Sequence, residues 1–126
     1  MEMRFWHSKK QPILIFGTGA GGMNFYKNCR SRYRVVGFLD NNKQKQGKQL
    51  FGVKIYAPQE LAQLVYDKIV IASDYYAEIY QQLTIQLAVD EDRLEVFHAS
   101  ELIYLSRWRY FKNALRQYAL NLMCRR

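Results

Sequence analysis

Six consecutive residues, Gly17-Thr18-Gly19-Ala20-Gly21-Gly22, satisfy the spacing GxGxxG at positions 17, 19 and 22, directly after the apolar run Ile13-Leu14-Ile15-Phe16. Phosphate chemistry asks for glycine at each place for its own reason. Gly17 permits a tight turn, Gly19 lets a diphosphate approach the backbone where a Cβ would collide, and Gly22 lets a following helix sit close to the strand. The amides and positive dipole end of that helix then favour an anion. Asp40 lies 18 residues beyond Gly22 at the end of a second apolar run, near the ~20 at which a carboxylate meets an adenosine ribose. It would accept from both ribose hydroxyls and repel a 2′-phosphate, favouring NAD over NADP, with Asn41 beside it as a further contact. Asp40-Asn41-Asn42 equally suits a turn in which short polar side chains bond their own backbone. Ala72 and Ser73 end a later apolar run and are small enough to leave room for a nicotinamide, base or sugar, while Ser73 or Asp74 also suits a helix cap. Lys43, Lys45 and Lys48 can assist a phosphate or simply make a solvated loop.

These residues need a scaffold, and the pattern around them supplies one. Four apolar residues in a row without alternation suit a strand buried on both faces. Residues 20–30 form a helix, and Arg34-Val35-Val36-Gly37-Phe38-Leu39-Asp40 is the next strand, so residues 12–40 read as one βαβ unit of 29 residues, close to the ~30 of a compact unit. Further strands fall at 52–56, 68–73 and 94–97. Pro58 opens a helix reaching about Tyr66, and Asp74 caps another over about 75–88. A last helix occupies about 99–123. This strict alternation predicts a single α/β domain over 1–126, Rossmann-like, with a parallel sheet of about five strands in order 3-2-1-4-5 and helices on both faces. Residues 12–98 make its nucleotide-binding core, and 99–126 a long, basic, amphipathic C-terminal helix.

Composition narrows the function. At 126 residues, 49% hydrophobic and 24% charged, the chain is one globular domain and neither disordered nor fibrous. The opening MEMRFWHSKKQ is too polar for a secretory signal, and no apolar run reaches the ~18 residues of a membrane span, so a cytoplasmic protein is expected. Cys29 and Cys124 are distant from each other and from histidine pairs, which argues against metal. Of the net charge of +8, residues 99–126 carry +5. With no zinc-finger spacing or RNP-like motif, that excess points away from nucleic acid. In the last helix Leu105, Trp108, Phe111 or Leu115, Tyr118 and Leu122 make an apolar stripe. At about 25 residues it is ~37 Å long, longer than so small a domain covers. It is expected to pair with a second copy or a catalytic partner domain, with peripheral contact at the inner membrane surface as the alternative. His7 and His98 have no nucleophile to pair with, and no catalytic residue is assigned.

The segments ILIFGTGAGGMNFYKN, RVVGFLDNNKQKQGKQLFGVKIY and KIVIAS, in that order, resemble the N-terminal Rossmann-like (CoA-binding-like) domain of bacterial nucleoside-diphosphate-sugar epimerase/dehydratases of the polysaccharide-biosynthesis type. The likeness runs from about Pro12 to Phe97, and a similar domain precedes sugar O-acyltransferases and occurs in sugar methyltransferases. It implies NAD or a nucleotide-sugar as ligand, with the turn Gly17–Gly22 and the Asp40-Asn41 strand end as contacts. It implies a role in bacterial glycan synthesis. The chain departs from that pattern in chemistry: none of its ten tyrosines is followed four residues on by lysine, so the Tyr-x-x-x-Lys pair of the catalytic portion is missing. A binding domain is expected rather than a complete catalyst. A nucleotide- or redox-sensing module and an S-adenosylmethionine-dependent methyltransferase core are the competing readings.

Overall fold

The computed structural model describes residues 10–97. The C-terminal helix expected over 99–123, His7, His98 and Cys124 lie outside the described residues. Strand β1 (Gln11–Phe16) is followed by helix α1 (Ala20–Cys29), then β2 (Tyr33–Leu39), β3 (Gln49–Leu50) and β4 (Val53–Tyr56). A 3₁₀ turn (Pro58–Gln63), β5 (Lys68–Ile71), helix α2 (Tyr76–Gln81) continuing as a π-helical turn (Gln82–Gln86), a second 3₁₀ turn (Glu91–Arg93) and β6 (Leu94–Val96) complete the order.

The strands form one sheet in the order β3-β4-β2-β1-β5-β6. All neighbours are parallel except β3 and β4. The expected parallel sheet of about five strands is therefore corrected, among the described residues, to six strands with an antiparallel edge pair. The added strand comes from a two-residue hairpin in which Phe51 and Gly52 both have positive φ, 54° and 76°, as a turn matching the strands' twist requires. A phenylalanine in that conformation is held by stacking on Tyr26 of α1, with ring centroids 4.8 Å apart.

Burial on both sides explains the unbroken apolar run of β1. Ile13, Leu14 and Ile15 are fully buried, and alternation sends them to different layers. Ile13 and Ile15 pack with Phe38, Val70 and the α1 residues Phe25 and Cys29. Leu14 and Phe16 pack with Leu39, Ile69, Ile71 and, from the other side, Leu61, Ile79 and Leu83.

Two helices differ from expectation. The segment after Pro58 is a 3₁₀ turn ending at Gln63, because Leu64 is already extended (ψ 144°) and the Asp67 amide donates to the Pro12 carbonyl. The helix expected over 75–88 is α-helical only to Gln81. The Thr84 hydroxyl donates to the Tyr80 carbonyl, and the Leu87 amide reaches back five residues to Gln82, so the coil widens there. Asp74 does not cap this helix. Tyr75 is the capping residue and uses no side-chain bond, whereas Ser73 Oγ accepts from the Tyr75 amide at 3.1 Å.

Candidate functional site

The carboxyl ends of β1, β2 and β5 converge where strand order reverses about β1, the place where open α/β sheets bind ligands. A one-residue register shift between Ile13 and Leu14 sets Phe16 level with Leu39. The Gly17 amide then donates to the Leu39 carbonyl at 2.9 Å, which brings Asp40 beside the glycine turn.

Each glycine of the turn can be tested by asking what a Cβ would meet. At Gly17, where φ is +122°, it would lie 2.6 Å from the Ala72 carbonyl oxygen. At Gly21 the same oxygen would be 2.7 Å away, and at Gly22 the Gly17 carbonyl oxygen would be only 1.9 Å away. Gly19 differs: among the described residues a Cβ there would have nothing within 4 Å. Its backbone, at φ −87° and ψ −156°, is open to any residue. Gly19 is also the residue that starts α1, and it offers no capping side chain; the helix has no acidic residue in its first turn. The positive end of a ten-residue helix is thus left uncompensated from within, as an external anion requires.

In front of this end lies a cavity of about 590 Å³. Nine of the ten expected contacts line it, Gly17, Thr18, Gly19, Ala20, Gly21, Asp40, Asn41, Ala72 and Ser73, whereas Gly22 is packed beneath the turn. Asp40 is both a turn former and a wall of the cavity. Its Oδ1 accepts from the Asn42 amide at 2.8 Å, and its Oδ2 from the Thr18 hydroxyl at 2.5 Å. Lys45 Nζ in turn donates to the Thr18 hydroxyl at 3.2 Å. None of Lys43, Lys45 and Lys48 lines the cavity. Each carboxylate oxygen keeps a lone pair for a further donor.

The sequence reading missed one wall. Tyr75, Glu78, Ile79 and Gln82 all line the cavity, and their spacing of i, i+3, i+4 and i+7 is one helical face; that periodicity was the available signal. Gln82 meets Asn41 across the opening in a reciprocal pair, each amide donating to the other's carbonyl oxygen at 2.9 Å. Phe16, Asn24, Asp74 and Phe97 complete the lining. Among the described residues the charged groups on the wall are Asp40, Asp74 and Glu78, with no lysine or arginine. Among the described residues no three metal-ligating side chains come together, and no helix is long and apolar enough to cross a membrane.

The fold is a Rossmann-like α/β domain. Residues 9–95 match the family described as C2185-like, N-terminal, and the chain belongs to that family. No curated protein matches the chain. Among solved structures it is similar to UDP-D-quinovosamine 4-dehydrogenase from Vibrio fischeri, with 22% identity and a TM-score of 0.56 over 80% of this chain and 87% of that one. It is also similar to RSP, a Rex-family repressor, with 18% identity and a TM-score of 0.54 over 92% of this chain and 66% of that one. RSP has been solved with β-NADH and with β-NAD⁺ and operator DNA. The expectation drawn from charge distribution, that nucleic acid is not a partner, is not borne out by these comparisons.

Proposed function

We propose that this chain is an NAD-type dinucleotide or nucleotide-sugar binding domain, serving a sugar-nucleotide epimerase, dehydratase or dehydrogenase of bacterial polysaccharide biosynthesis and not catalytic by itself. The observation that carries this is Gly19: neither backbone conformation nor internal packing calls for glycine there, and the space its missing side chain leaves is the cavity at the uncapped end of α1. A diphosphate accepts from those amides, Asp40 accepts from the ribose hydroxyls, and Ala72 and Ser73 leave room beyond. NAD is the favoured ligand, and bound it would supply hydride-transfer chemistry to a partner that brings the catalytic groups. The acidic wall disfavours a 2′-phosphate. Fold likeness to a UDP-sugar dehydrogenase supports the sugar-nucleotide setting. The solution of RSP with NADH and with NAD⁺ on operator DNA favours redox sensing as the second reading.

Thermal stabilisation screened across NAD, NADP, S-adenosylmethionine, CoA and UDP-sugars tests the ligand class, since saturation to ~100 times Kd adds ~2.7 kcal/mol. Gly19→Val is expected to abolish binding of the best ligand while the melting temperature without ligand changes little. Unchanged binding in that variant would place the phosphates elsewhere.

A further inference from the structure

Resting on that reading of the cavity, we infer that the Asn41–Gln82 amide pair is a clasp that the ligand's nucleobase displaces, and that Asn41 then reads the base as adenine. The two residues come from opposite walls. Asn41 follows Asp40 at the end of β2, and Gln82 begins the π-helical turn after α2. Their side chains close a ring of two hydrogen bonds between segments 41 residues apart in sequence.

Such a ring is complete but easily exchanged. Both bonds are neutral and exposed, so water competes for each partner and their net worth is at the low end for hydrogen bonds. The edge that each amide shows the other, a carbonyl oxygen beside an NH₂ group, is also the edge that Asn and Gln show to adenine, accepting from N6 and donating to a ring nitrogen. Closed, the pair bonds both amides; opened by a base, Asn41 regains two bonds from the base and the exposed Gln82 amide turns to water.

Geometry assigns the reading role to Asn41. A base is bonded directly to its ribose, so with the ribose hydroxyls at Asp40 the base edge falls within reach of the neighbouring residue. Gln82 is the movable half: a longer side chain at the point where α2 changes to a wider coil. It is a positioning residue that holds Asn41 when no ligand is present.

The test is titration of the whole chain with NAD and with fluorescent 1,N6-etheno-NAD, in which a bridge covers N1 and removes the N6 donor. The parent is expected to bind NAD about tenfold more tightly, as one bidentate amide–adenine contact gives. Asn41→Ala should bring the two ligands within twofold, whereas Gln82→Ala should keep the preference and bind NAD at least as tightly as the parent. A parent preference below twofold, or one that survives Asn41→Ala or vanishes in Gln82→Ala, overturns the assignment. If both ligands bind equally and Gly19→Val abolishes both, the dinucleotide reading stands and the clasp falls; if neither ligand binds the parent, both readings fall.

Discussion

Replacing Asp40 by asparagine removes a charge while keeping a shape, which makes it the sharpest probe of cofactor choice. The asparagine carbonyl can still accept from the Asn42 amide, and its NH₂ can donate to the Thr18 hydroxyl in place of accepting from it, so the turn that Asp40 builds survives. For NAD, a ribose hydroxyl that met a charged acceptor would meet a neutral amide. Bonds to charged groups contribute ~1.5–3 kcal/mol against ~0.5–1.5 for neutral ones, so a loss of about 1.4 kcal/mol, or tenfold, is expected. For NADP the change has the opposite sign. Two unit charges 4 Å apart repel by ~4 kcal/mol at an effective dielectric of about 20, which an open, hydrated mouth reduces to about 1–2 kcal/mol. Lys45, whose Nζ lies 3.2 Å from the Thr18 hydroxyl, then keeps its positive charge with no carboxylate at position 40 to offset it. Together the NAD/NADP affinity ratio should fall roughly 50- to 300-fold from parent to Asp40→Asn at ~1.4 kcal/mol per factor of ten, read by calorimetry at one fixed salt concentration. Equal affinities for NAD and NADP in the parent, or a ratio that moves less than threefold in the variant, would refute the placement of a ribose at Asp40.

Gly22→Ala should destabilise the fold by at least about 3 kcal/mol in urea, because its methyl would stand 1.9 Å from a backbone oxygen that cannot swing away; a small loss would mean that the turn relaxes. The bond that Lys68 donates to Glu95 holds the lysine above its ordinary 10.5, with burial opposing the shift. A raised value in the folded state gives stability that is fully present below pH ~10.5 and lost as pH rises through the raised value. Parent minus Glu95→Gln stability should therefore be flat from pH 7 to 10 and shrink above that; a difference that grows with alkali would reverse the sign.

How much of this could be read beforehand depended on whether the deciding contact was local. The burial of β1 was legible because an uninterrupted apolar run suits few environments besides a central strand. Strand β3 was not, since two residues carry no period and its turn depends on Phe51 finding Tyr26, 25 positions away. The widened coil at Gln82–Gln86 escaped for a similar reason. Thr84 is an ordinary helix residue until its hydroxyl takes the Tyr80 carbonyl. Asp40 was legible from spacing alone, yet its two roles, turn former and cavity wall, were posed as alternatives when the geometry makes them compatible.

The glycine motif shows where a sequence match stops being a statement about ligands. Gly17 and Gly21 are both crowded by one oxygen, the Ala72 carbonyl at the end of β5, and Gly22 by the Gly17 carbonyl. Those three constraints come from closing the turn against its neighbouring strand, and they persist whether or not anything binds. Nothing in the spacing of the motif reveals this, because the crowding atom at Gly21 lies some fifty residues further along the chain and depends on where β5 ends. Gly19 alone has room for a side chain. A chain that kept this fold and gave up its ligand would be free to change position 19 and would still need glycine at 17, 21 and 22. The identity of residue 19 is therefore the part of GxGxxG that speaks for binding, and in this protein it is glycine.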